Sequence, residues 1–145
     1  MTFGTTREQP WTETLPTARG AGFTGRTFCR FHFTGGAAAI PSVAEIWATS
    51  DHAVEGHAHD ADELLYVLSG AIEVNGHTLQ ANEMVFIPSG DSYRARVVSQ
   101  EGSHVLRVAL PRPSNDAHPP EYDARPWSGP LTADGFPDLR PTAPA

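Results

Sequence analysis

The chain has 145 residues, a formal net charge of −7 and a single cysteine, which is one domain's worth of sequence with no intrachain disulfide and no thiolate-rich zinc site. All ten basic residues are arginines, and they are scattered; this excludes a lysine Schiff base and argues against a phosphate-backbone surface, so no nucleic-acid partner is expected. No apolar run approaches the ~20 residues that span a bilayer, and "MTFGTTREQP" has no basic stretch followed by an apolar one, so a cytoplasmic protein with no membrane partner is expected.

Residues 1–24 are polar and broken by Pro and Gly, which predicts an irregular N-terminal arm. From Thr27 the texture changes to short β-rich runs separated by turn signals: "RTFCRFHF", "SVAEIWAT", "ELLYVLSG", "AIEV", "EMVFIP", "YRARVV" and "HVLRVAL". Their spacing and alternation predict an all-β sandwich or barrel over residues 25–110. "AIEV-NG-HTL" reads as a hairpin, because Asn-Gly supplies the positive φ values of a two-residue turn. Cys29, within "TFCRFHF", reads as a small buried filler. The same segment is a plausible edge strand that a second copy of the chain would cover, and a homodimer is expected. After Leu110 the sequence holds nine of the 13 prolines, so residues 111–145 are not core sheet. Tyr122, Trp127, Leu131, Phe136 and Leu139 there are apolar anchors, which predicts a tail packed on the barrel or on a partner.

The chemistry concentrates in "EGHAHDADELLYVLSG", residues 55–70. Side chains two apart on a strand face the same way, so His57 and His59 project together. Glu63 opens the next run and returns to the same point if the two strands pair. Two imidazoles and a carboxylate form a facial triad for a divalent metal, with positions left open. Asp60 and Asp62 read as turn residues, since a calcium loop needs a spacing and a glycine that are absent.

His57-x-His59-x3-Glu63-x6-Gly70 resembles the first motif of the cupins, with Asp51 in place of its leading glycine. "NEMVFIPSGDSYRARV" is similar to the second motif: Pro88 and Gly90 match. Asn82 stands for its first glycine, Tyr93 for the fourth metal ligand and Val97 for the closing asparagine. The resemblance spans residues 27–110 and implies a double-stranded β-helix, the cupin jelly-roll barrel. It also implies one divalent metal ion per chain, iron(II) favoured, with zinc, manganese, nickel and copper as other occupants. The ligands carried over are His57, His59 and Glu63, with Tyr93 beside them. Tyr93 has three readings: a fourth ligand, a catalytic acid or base, or a packing residue. Proteins similar to this one but lacking the fourth histidine include both three-ligand metal enzymes and proteins without metal.

Outside the motifs, Glu45 and Trp47 alternate on the run before the ligands and are candidate pocket residues, as are His104 and Arg107. Arg107 would hold a substrate carboxylate. Arg94 and Arg96 should face away from Tyr93. The expectation is a metal-dependent enzyme acting on a small organic molecule, first an iron(II) oxygenase using O2. The alternatives are a non-redox cyclase, isomerase, dehydratase or lyase, in which Glu63 or Tyr93 moves a proton, and a non-catalytic ligand-binding module.

Overall fold

The computed structural model describes residues 1, 3–4, 9–15, 23–34, 40–110 and 124–141. They contain twelve strands and no helix: β1 (Thr12–Thr14), β2 (Phe23–Thr24), β3 (Thr27–Thr34), β4 (Ser42–Ala48), β5 (Ala53–His57), β6 (Glu63–Ser69), β7 (Ala71–Val74), β8 (His77–Gln80), β9 (Met84–Ile87), β10 (Tyr93–Val97), β11 (Ser103–Ala109) and β12 (Ala124–Pro126). No helix is long and apolar enough to cross a membrane among these residues.

Two antiparallel sheets form. The larger runs β12-β1-β3-β4-β11-β6-β9 and the smaller β2-β5-β10-β7-β8. Alternation decides what each strand buries. On β6, Glu63, Leu65 and Val67 are buried while the residues between them are less so. Leu65, Val67, Val105 and Ala48 of the larger sheet meet Ile72, Val74, Tyr93 and Val97 of the smaller in one apolar cluster. This is the jelly-roll sandwich, and the interior between the sheets is its core.

The predicted hairpin forms between β7 and β8, with Val74 opposite His77. Asn75 and Gly76 turn it with φ of 47° and 86°. Gly70 closes the first motif for a steric reason. Its φ is +76°, and a Cβ there would strike the carbonyl oxygen of Gly102, so only glycine fits between β6 and β7.

Two boundaries differ from the sequence-based expectation. β3, the "RTFCRFHF" segment, is an inner strand between β1 and β4, because residues of the expected arm add β1 along its free side. The expected arm and tail each contribute a strand to the larger sheet, β1 and β12, which pair with each other. The edges of that sheet are therefore β12 and β9. Tyr122 lies outside the described residues.

These terminal segments cover the outer face of the larger sheet. Trp11 is 2% exposed, and its Nε1 donates to the carbonyl of Gly135 at 2.8 Å. Phe136 stacks on Trp47 with ring centroids 4.4 Å apart, and Trp127 meets Phe28 edge-on at 5.6 Å. Glu13, also buried, receives the Arg26 guanidinium through two hydrogen bonds and Arg125 through one. Arg26 and then Arg125 hold the Glu13 carboxyl below the usual carboxylate range against the opposing effect of burial. Trp11→Ala should cost about 3–5 kcal/mol of stability, the usual loss for an indole removed from a packed site. Urea unfolding measures it, and a loss under about 1 kcal/mol would show the clasp to be peripheral to the fold.

Candidate metal centre

Cross-strand register divides the interior into an apolar half and a polar end. Rows of partners share a face, so Ser42, Ala109 and Glu63 lie together, as do Ala44, Arg107 and Leu65. Glu63 and Arg107 are therefore one row apart on adjacent strands, both facing inward. Arg107 Nε donates to Glu63 Oε2 at 2.6 Å. Glu63 has no solvent exposure. A carboxylate at such depth is tolerated only when paired, and Arg107 is its counterion.

The second carboxylate oxygen points elsewhere. Glu63 Oε1 lies 3.4 Å from His59 Nε2 and accepts no hydrogen bond among the described residues. Leaving a buried acceptor unsatisfied costs about 1–3 kcal/mol, so this atom calls for a partner that the described residues do not supply. The His57 ring stands 4.8 Å from that of His59, edge to face. Tyr93 completes the group: it is buried, its ring is 4.5 Å from His57 and 6.0 Å from His59.

Backbone contacts hold this end of the sandwich together. His57 is the last residue of β5 and the cross-strand partner of Tyr93, whereas His59 lies beyond the strand end. The expectation that one strand carries both histidines is thus corrected, because β5 stops between them. The turn of the second motif captures His59 instead: Gly90 N donates to the His59 carbonyl at 2.8 Å, with Gly90 at φ 87°. Asp62, expected only as a turn residue, accepts from Ser89 N through Oδ1 at 2.8 Å and from Leu110 N through its carbonyl. Nothing in its local sequence marked that bridging role.

The other candidates divide by strand parity. Arg107 does face inward, but toward Glu63. Glu45, Trp47 and His104 lie on the outer face of the same sheet, since Glu45 pairs with Leu106 and Trp47 with His104, one residue out of step with the inward rows. They are not lining residues of the interior. There Glu45 and His104, with Arg30 and His32, build a separate polar knot under the terminal clasp. Glu45 Oε1 receives His104 Nε2 at 2.8 Å and Arg30 at 3.3 Å, and Oε2 lies 3.2 Å from His32 Nε2. Arg94 and Arg96 are exposed, as expected, and Arg96 pairs with Glu73 across β10 and β7. A surface hollow of about 660 Å³ bordered by Glu55, Glu73, Ser92 and Arg94 also opens beside the exposed faces of these strands.

Two nitrogens and a carboxylate oxygen suit a divalent ion chemically. Among the described residues no three His, Cys, Asp or Glu side chains already close around one point. The fit rests on the bare Glu63 Oε1 beside His59, with His57 one ring away. His57, His59 and Glu63 are the residues that would hold such an ion.

No protein-family model matches the chain, and no curated protein sequence matches it. Solved structures resemble it in shape. The polyketide cyclase RemF from Streptomyces resistomycificus gives a TM-score of 0.62 at 20% identity, over 92% of this chain and 89% of that one. An acetylacetone dioxygenase from Acinetobacter johnsonii gives 0.61 at 14%, over 76% and 74%. An RmlC-like cupin from Shewanella frigidimarina gives 0.57 at 20%, over 79% and 98%. At these identities the likeness establishes the fold, which is that of the cupins.

The outer knot carries a pH dependence. Burial pushes the His104 imidazole below its ordinary range, and the opposing pull of Glu45 does not restore it. The 2.8 Å contact is therefore a neutral N–H donating to a carboxylate, despite its ion-pair distance. A depressed folded-state value stabilises the fold above the unfolded value of ~6.5 and loses that contribution as pH falls through the folded one. Stability should therefore drop on acidification below about pH 6.5. His104→Gln should flatten that slope, measured by urea midpoints across pH; an unchanged slope would remove His104 from the account.

Proposed function

We propose that this chain, with its cupin fold, is a mononuclear metal-dependent enzyme acting on a small, oxygen-bearing organic molecule. The observation that carries the reading is the fully buried Glu63 carboxylate, one oxygen clamped by Arg107 and the other left bare beside His59. An oxygen with no hydrogen bond among the described residues, 3.4 Å from an imidazole nitrogen, is a donor that a divalent ion could share with that imidazole. Bound there, a divalent ion supplies Lewis acidity toward a substrate oxygen.

The chain's own groups supply the rest. His57, His59 and Glu63 hold the ion, and Arg107 fixes the direction of the Glu63 carboxylate by pinning Oε2. Tyr93, buried with its ring 4.5 Å from that of His57, brings a titratable phenol to the group and would give or take a proton at a substrate oxygen. His59, with 26% of its side chain exposed, marks the open end through which a small molecule enters. The apolar cluster below excludes water from the closed half.

The chemistry we favour is proton transfer without redox change, of the cyclase, isomerase or lyase kind, because Tyr93 occupies the position of a fourth ligand with a titratable hydroxyl. Similarity in shape to a polyketide cyclase accords with it. The second reading is oxygen chemistry at iron(II), favoured by the two-histidine, one-carboxylate donor set and in keeping with the similarity to a dioxygenase.

Metal analysis of protein purified without added metal tests the shared premise. About one ion per chain is expected, falling at least tenfold in His57→Ala and in Glu63→Gln with the fold retained by circular dichroism. Tyr93→Phe should keep its metal while losing about 10²–10⁴ in turnover, the usual value of a positioned acid or base. Metal lost with Tyr93→Phe would make the phenol a ligand, and wild-type protein that binds no divalent ion would sink the proposal. Oxygen consumption with acetylacetone separates the two chemistries: uptake supports the iron reading.

A further inference from the structure

We infer that a β-bulge at Glu55–Gly56 is the device that makes His57 a ligand, by turning it inward and fixing which ring nitrogen carries its proton. This rests on the reading that His57 faces a bound ion. The register supplies the first half. Val54 pairs with Ala95 and His57 with Tyr93, so Glu55 and Gly56 together stand opposite Arg94 alone. Uninterrupted pairing from Val54 would set Gly56 against the inward Tyr93 and send His57 to the outer face, since faces alternate along a strand. One extra residue absorbs that step, and Val54 and His57 both face the interior. Bulges re-aim side chains in this way beside functional sites.

The second half comes from the bulge carbonyl. Glu55 O lies 2.9 Å from His57 Nδ1. A carbonyl only accepts, so Nδ1 must carry the hydrogen. In a neutral imidazole the other nitrogen is then bare, and Nε2 is the atom left to coordinate. An imidazole in water prefers the opposite tautomer, with hydrogen on Nε2, which cannot bind a cation through that atom. A regular strand does not bring a residue's own side chain to the carbonyl two positions back; the bulge does.

Gly56 acts here by being present, not by being glycine. A Cβ at Gly56 would rest 3.5 Å from Ser92 Oγ, an ordinary contact, and its φ lies outside the left-handed region. Substitution and deletion should therefore part company. Gly56→Ala keeps the residue count and the bulge, whereas deletion of Gly56 restores regular pairing, with Glu55 opposite Arg94 and His57 still opposite Tyr93. The deletion keeps the ring inward and takes the Glu55 carbonyl out of the position from which it fixes the tautomer.

The test is a long-range ¹H–¹⁵N correlation on the full chain carrying ¹⁵N-histidine, stripped of divalent ions and held above the ~6.5 of an unperturbed imidazole. His57 should appear with its hydrogen on Nδ1 in the wild type and in Gly56→Ala. Deletion of Gly56 should move it to Nε2 and weaken Co²⁺ binding about 10- to 100-fold, the usual effect of losing a partner that orients a ligand. An Nε2–H tautomer in the wild type, or an Nδ1–H tautomer that survives the deletion, overturns the inference. If the deletion variant does not fold, the wild type and Gly56→Ala decide, because the wild-type tautomer alone is sufficient to refute it. Failure of the functional reading looks different: His57 would carry Nδ1–H while the wild type binds no Co²⁺.

Discussion

A carboxylate with no solvent exposure sits between two β-sheets, and the architecture of this end follows from having to keep it there. Moving an unpaired charge to such depth costs several kcal/mol even after relaxation, and removing one partner of a buried pair costs about 3–5 kcal/mol. Glu63 therefore requires Arg107 on the neighbouring strand, one row away and on the same face, which fixes the register of β6 against β11 as firmly as any apolar contact. Hydrophobic packing alone would tolerate Leu or Met in both places. The pair persists at the one end where the interior is open enough for His59 to remain partly solvated, and where one carboxylate oxygen is still unspent.

The same parity that brings Glu63 and Arg107 together separates them from the second set of titratable groups. Along β4 and β11, alternate residues look into the sandwich or out under the terminal clasp. Glu45, His104, Arg30 and His32 form a knot that resembles the inner one in composition and differs from it in what covers it. Glu45 Oε1 accepts from His104 and Arg30, Oε2 lies 3.2 Å from His32 Nε2, aromatic rings from Trp11 and Phe136 close over His104, and Arg30 lies over the Trp11 ring at 4.2 Å. Cover is what sets the two apart: the outer cluster lies beneath the attached chain ends, with Arg30 Nε and the neighbouring Trp47 Nε1 still lacking hydrogen-bond partners among the described residues, whereas His59 of the inner group keeps 26% of its side chain exposed.

The jelly roll was legible from Thr27 onward because period-2 alternation and Asn-Gly are local signals, and burial follows alternation directly. The candidate ligands His57, His59 and Glu63 stood out as a spacing. Their geometry did not. Register between β4 and β11 is set by non-local pairing, so a sequence offers no means of deciding whether Glu45 or Ala44 faces inward; the choice of Glu45, Trp47 and His104 as pocket residues went wrong on that one-residue step. Gly56, inside a strand, was the signal that could have revealed the bulge. The arm and tail were underestimated for another reason. β1 and β12 are three residues each, too short to show a period, and they are held by Trp11, Trp127 and Phe136, whose contacts span more than a hundred residues of chain.

The departures from the second cupin motif follow a physical rule. Where that motif asks for backbone conformation, this chain complies by other means: Asn82, in the place of a glycine, still adopts a left-handed φ of 71°, which asparagine tolerates better than most residues, and Tyr66 Oη donates to its side-chain oxygen at 3.0 Å. Gly90 keeps both its positive φ and its grip on the His59 carbonyl. Where the motif asks for a side chain, the chain has changed it. Val97 joins the apolar cluster, and Tyr93 puts a phenol where an imidazole would coordinate. Within a single sixteen-residue stretch the backbone conformations of the motif are therefore present while two of its side chains are not, because a left-handed turn and a strand pairing can be met by several residue types, whereas an imidazole at one position can be met only by histidine.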